Sequence, residues 1–254
     1  MFIFGGFSRD IFNDIRVLDF NFGKWKAITN SGPYIPEGRF DHSIVSYDNQ
    51  LFVFGGAGHY IKTLKRRICY NDMKIFDIAS ERWSKEGSIE GAPAKRAAHA
   101  TAAAGCMMVV HGGYNSEHVK TLEDLKVFDM ELCKWVETKV YQNETRIDNM
   151  LFGESISKET LNLLGSEQGI GKRQSHSMVA IFDKEYYSPM LMGKKSKRAM
   201  FFRKREWDAD ERNEGKAFVE GFYLFGGITE SRVPRNDIWI VEPYYEENEK
   251  MLTI

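Results

Sequence analysis

Arg-x-x-His recurs three times in this chain, as Arg39/His42, Arg96/His99 and Arg173/His176. Three histidines could ligate zinc or copper through a ring nitrogen. Three arginines could clamp a carboxylate, each with paired N–H donors. Either chemistry requires the copies to converge on one point, whereas their fixed place in a repeat sets them one per unit and apart. The pattern therefore reads as structural, with buried arginines bonding backbone carbonyls or recurring carboxylates. His59, His111 and His118 stand outside it, and spacing alone assembles no Tyr, Cys and His cluster around them. No two carboxylates separate from the repeat or the charged loops as an acid/base pair. The expectation is a protein that is not an enzyme, with neither metal nor cofactor.

The elements that position these residues are legible in the repeat itself. A glycine pair follows a short apolar run four times, at Gly5-Gly6, Gly55-Gly56, Gly112-Gly113 and Gly226-Gly227. The runs, Phe2-Ile3-Phe4, Leu51 to Phe54, Met107 to His111 and Phe222 to Phe225, suit strands covered on both faces. A polar loop of variable length follows, then an acidic pair: Asn13-Asp14, Asn71-Asp72, Glu123-Asp124 and Asn236-Asp237. Beyond it come Asp19, Asp77, Asp129 and Glu242 at constant spacing, and after the first three Trp25, Trp83 and Trp135, with Asn248 in the fourth place.

Together these features resemble the kelch repeat, in which each unit is one four-stranded antiparallel blade of a β-propeller. The fold class expected is all-β, a kelch-type propeller with four recognisable blades, at about 1–30, 39–90, 96–139 and 173–254, in one domain over 1–254. One four-stranded sheet cannot bury both its apolar faces, whereas stacked blades cover one another. Strand A follows Arg-x-x-His, B precedes the glycines, C carries the acidic residues and D the tryptophan. The resemblance puts A innermost and D outermost, with Trp25, Trp83 and Trp135 packed between neighbouring blades. The first and last blades are incomplete: no strand A precedes Phe2, and Lys250 to Ile254 match strand D poorly. The ring either closes with four blades or is an arc of a larger one, and an open edge that invites pairing favours the arc.

Two stretches interrupt the spacing, at about 140–171 and 183–220. The first holds Ile147 to Phe152 and a helical pattern over Ser157 to Leu164. The second carries a basic run, Lys194, Lys195, Lys197, Arg198, Arg203, Lys204 and Arg205, followed by Glu206, Asp208, Asp210, Glu211 and Glu214. It reads as a solvated loop, or as a nuclear-import signal or partner contact, with Phe201, Phe202 and Trp207 supporting the contact. A net charge of -1 over 254 residues makes nucleic acid an unexpected ligand. Cys69, Cys106 and Cys133 are odd in number and scattered, which suits a reducing compartment, and no apolar run reaches membrane-helix length. The expected location is cytoplasmic.

The resemblance implies a module that binds another protein through the B-to-C and D-to-A loops. Those loops hold Phe7, Arg9, His59, Tyr60, Lys62, Lys65, Arg66, Arg67, Tyr114, Asn115, His118 and Arg232, a basic and aromatic set suited to an acidic or phosphorylated segment. The alternatives are a propeller segment completed by another chain, or the substrate-reading part of a ubiquitin-ligase adaptor. Galactose oxidase and the sialidases show that propellers also carry chemistry, and an enzyme like either is the less expected reading, since spacing alone assembles no copper cluster and the repeat accounts for the arginines.

Overall fold

The computed structural model describes residues 1–142, 171–181, 200–206, 221–235 and 237–243, and these form strands and turns without helix. Blade one is β1 (Phe2–Phe7), β2 (Ile11–Asp19) and β3 (Lys24–Ile28). Blade two is β4 (Ser43–Tyr47), β5 (Gln50–Phe54), β8 (Met73–Asp77) and β9 (Arg82–Glu86), with a hairpin of β6 (Ala57–Ile61) and β7 (Arg66–Cys69) rising between its second and third strands. Blade three is β10 (Ala100–Ala104), β11 (Met107–Asn115), β12 (Lys120–Asp129) and β13 (Lys134–Val136). Both four-stranded blades run in sequence order, β4-β5-β8-β9 and β10-β11-β12-β13, and every neighbour is antiparallel. This is a kelch-type β-propeller, in which the B-to-C loops all leave by one face.

The fourth sheet departs from the plan. It contains β14 (Thr138–Gln142), β15 (Ser177–Ile181), β16 (Met200–Glu206), β17 (Gly221–Phe225) and β18 (Ile238–Pro243), in the order β14-β16-β18-β17-β15. The outer place beside strand C is taken by β16, antiparallel to β18, and β14 adds to it in parallel. Residues 200–206 are thus a blade strand rather than a solvated loop. The physical reason is the bare edge of β18, whose ladder any segment able to extend can complete, and Met200-Phe201-Phe202 has the propensity to do so. Lys194 to Arg198, Trp207, the helical pattern at 157–164 and Lys250 to Ile254 lie outside the described residues.

Three apolar clusters fill the spaces between blades. Phe4 and Ile15 of blade one meet Leu51, Val53, Phe76 and Trp83 of blade two. Phe52 and Phe54 meet Met108, Val110, Phe128 and Trp135 of blade three. Val109, Leu125 and Val127 meet Phe222, Leu224 and Trp239 of blade four. Trp83 is fully buried edge-on to Phe4, with ring centroids 5.1 Å apart, and Trp135 meets Phe54 at 4.9 Å. Each tryptophan therefore faces the preceding blade. Trp25 does not pack between blades: it is 50% exposed, because it points to the side of blade one where no described blade lies.

Candidate partner-binding face

The Arg-x-x-His segments act as locks within and between blades. Arg39 is buried and grips Asp72 with two bonds of 2.7 and 3.0 Å while donating to the Gly55 carbonyl at 2.9 Å. Arg96 does the same to Asp124 (2.9 and 2.8 Å) and Gly112 (2.9 Å), and Arg173 to Asp237 (2.9 and 3.0 Å) and Gly226 (3.1 Å). Each arginine's own carbonyl accepts the N–H of the second glycine in the blade before it: Gly6 to Arg39, Gly56 to Arg96, Gly113 to Arg173. Burial pushes the Asp237 carboxyl up, but the Arg173 and Trp239 hydrogen bonds outweigh it and hold the group below the usual carboxylate range.

The histidines stack on the strand-B residue before the preceding glycine pair. His42 lies edge-on to Phe4 at 5.2 Å and His99 to Phe54 at 5.3 Å. At the third junction that residue is His111, whose Nδ1 lies 2.9 Å from His176 Nε2. Burial first, then the neighbouring arginine, lowers His42 to about 4 and His176 to about 3, and His99 moves the same way. All three are neutral at neutral pH. Among the described residues no three His, Cys, Asp or Glu side chains could hold a metal. Asp19, Asp77 and Asp129 close the C-to-D turns, accepting the N–H of Asn21, Ser80 and Leu132 at 2.8, 2.7 and 2.9 Å.

On the B-to-C face the loops of blades one to three are fastened together. The Arg67 guanidinium lies 4.9 Å from the Phe7 ring and 5.1 Å from the Phe40 ring, and donates to the Gly58 carbonyl at 3.2 Å. Ser116 Oγ donates to the Arg67 carbonyl at 2.6 Å. Glu117 takes Lys95 at 2.8 Å and Arg66 at 3.6 Å, and the Lys95 hydrogen bond chiefly holds its carboxyl below the ordinary value. Arg66 and Arg67, read from sequence as ligand-binding, are thus engaged within the protein. Asn115 is buried too, and its Oδ1 accepts the N–H groups of Glu117 and His118 at 2.8 and 3.1 Å, so it shapes a turn. Tyr114 is half-buried and pairs through its backbone with Ala97.

Arg9, His59, Tyr60, Lys62, Lys65 and His118 remain exposed on these loops, and Arg232 on the fourth one. Arg9, Lys62, Lys65 and Arg232 make no ion pair among the described residues. Leu64 at the hairpin tip and Val119 on the β11–β12 turn, passed over in the sequence, are exposed among these cations, with Asp10 the acid nearest Arg9 in sequence. Sequence reasoning missed them because an apolar residue in a loop carries no pattern.

A family model described as the KLHDC2/KLHL20/DRC7 Kelch-repeats domain matches residues 1–165. The chain belongs to this kelch-repeat family. Kelch domain-containing protein 3 of Rattus norvegicus is 28% identical over 140 residues, 53% of this chain and 36% of its own length. Protein ral2 of Schizosaccharomyces pombe is 25% identical over 172 residues, 58% of this chain and 28% of its own. Acyl-CoA-binding domain-containing protein 5 of Arabidopsis thaliana is 32% identical over 114 residues, 44% of this chain and 16% of its own. The kelch chain described here therefore spans well under two thirds of these relatives. Among solved structures, that of YjhT aligns with a TM-score of 0.50 at 11% identity, covering 95% of this chain and 80% of that one, a likeness of fold. Kelch-repeat domains are generally protein-interaction modules.

Proposed function

We propose that this chain acts as one propeller domain, without catalysis, that binds an acidic protein segment with apolar anchors on its B-to-C face. The observation carrying this is the β6–β7 hairpin, which holds Lys62 and Lys65, without an ion pair among the described residues, beside exposed Tyr60 and Leu64. Cations there supply steering and charge-assisted bonds, and the apolar side chains supply buried area. Arg9, His59, His118 and Arg232 extend the surface; Arg66 and Arg67 hold its floor. A phosphorylated segment offers the same acceptors. Cys69, Cys106 and Cys133, odd in number and in no disulfide among the described residues, suit a reducing compartment, the cytoplasm or, through the basic run 194–205, the nucleus.

Selection from a displayed random-peptide library against the whole chain tests this. Enriched peptides should pair Asp or Glu with Leu or aromatic residues, and lose binding to a Lys62→Glu/Lys65→Glu variant. Enrichment without acidic residues, or indifferent to that variant, contradicts the proposal. A second reading, in keeping with β1 pairing with β2 alone among the described residues, is that the propeller is part of a larger assembly.

A further inference from the structure

Two cations and one carboxylate meet where the loops of blades two and three touch. Glu117, on the β11–β12 turn, takes Lys95 Nζ at 2.8 Å and Arg66 Nη1 at 3.6 Å, both on Oε1. A single carboxylate thus faces two positive charges, and the Arg66 contact is longer than a hydrogen bond. One blade on, the lysine before the lock arginine meets a glutamate again, Lys172 with Glu230 at 3.6 Å. That pair is one to one among the described residues. The excess charge at Glu117 comes from Arg66, which β7 of the blade-two hairpin carries across to it.

The backbone around the trio is fixed from both sides. Ser116 Oγ donates to the Arg67 carbonyl at 2.6 Å, which ties the β11–β12 turn to β7 beside Arg66, and Asn115 Oδ1 accepts the Glu117 N–H at 2.8 Å. The charged groups themselves stay open to water: Arg66, Glu117 and Lys95 keep 28%, 30% and 42% of their side-chain surface. Ion pairs so exposed are held weakly, and one carboxylate exchanges readily for another. A carboxylate arriving from solvent can take the Arg66 guanidinium with two parallel hydrogen bonds, which Glu117, set back at 3.6 Å and shared with Lys95, does not supply.

We propose that Arg66 and Lys95 form an anion subsite for a side-chain carboxylate of the partner segment, and that Glu117 is its internal occupant, a competitor that the partner displaces. The inference rests on the reading above and names where, beyond Lys62 and Lys65, an acidic segment is held. Glu117 then sets a threshold, because a sparsely charged segment leaves the clasp closed and a strongly acidic one opens it. That makes Glu117 a specificity-determining residue, acting by exclusion.

The probe is a fluorescein-labelled peptide, Glu-Glu-Leu-Glu-Glu-Tyr, titrated into the full chain by anisotropy. Glu117→Gln should tighten binding about three- to tenfold, and Arg66→Gln in that background should remove the gain. Glu131→Gln takes the same charge from the turn between β12 and β13, on the opposite face, and should leave affinity unchanged. Circular dichroism checks that each variant folds, and Glu117→Ala serves as a second way to open the clasp. Unchanged or weaker binding by both Glu117 variants, a gain that survives Arg66→Gln, or an equal gain from Glu131→Gln would overturn the subsite. Should Lys62→Glu/Lys65→Glu still abolish binding in that event, the proposed face stands without it. A peptide that fails to bind even the Glu117→Gln chain overturns both.

Discussion

Trp83 and Trp25 hold equivalent places in their units, yet one is fully buried and the other half exposed. Trp83→Ala should cost about 3–5 kcal/mol, since a large aromatic leaves a cavity against Phe4 and Phe76. Trp25→Ala should stay within about 0.5 kcal/mol. Urea denaturation of both variants checks the contrast, and equal losses would refute it. The buried histidines predict a pH dependence of definite sign. Their folded-state values, about 4 for His42 and about 3 for His176, lie below the value near 6.5 of an unfolded chain. The unfolded chain thus binds more protons between those limits. Stability is full above about pH 6.5 and declines as the pH falls toward 4 and 3. Melting temperatures from about pH 7.5 down to about pH 4.5 should fall steadily; a flat or rising profile over that span contradicts the burial of neutral imidazoles.

At the scale of the element, the regular blades were legible because three signals coincide on each: an apolar strand, glycines at positive φ and an acidic residue at fixed spacing. Gly56 shows why the glycines recur. With φ of +97° and the His42 Cβ against it, a side chain there is both strained and crowded, whereas Gly6, at +108°, is strained alone. Gly56→Ala should therefore lose clearly more stability than Gly6→Ala, whose cost is about 1–2 kcal/mol from the backbone alone; equal costs in urea would contradict the crowding at Gly56. What the sequence concealed lay in pairings between distant segments. Residues 200–206 read as loop because their charges masked the apolar start of a strand, and only the unfilled edge of β18 gives them a place. The candidate face was legible as a cluster of loop cations, but not in its division. Nothing local tells that Arg67 stacks on Phe7 and Phe40, or that Arg66 meets Glu117, while Lys62 and Lys65 make no ion pair among the described residues.

At the scale of the whole molecule, the described blades stack with apolar clusters filling the spaces between them, and blades one and four carry exposed apolar side chains on their outer sides. Phe225 occupies the place from which Phe4 and Phe54 reach the next histidine, and it is 54% exposed on blade four. Trp25 and Ile3 are exposed on blade one. On the proposed reading, binding capacity sits on the loops of one face, and the blade interiors hold those loops in place. No helix among the described residues is long and apolar enough to cross a membrane. Hydrogen–deuterium exchange of the isolated chain, read strand by strand, tests this most directly. Slow exchange is expected throughout β5 and β11, which are paired on both sides, and fast exchange at those β1 amides that face away from β2. Protection of β1 equal to that of β5 would contradict it, since both edges of β1 would then be paired.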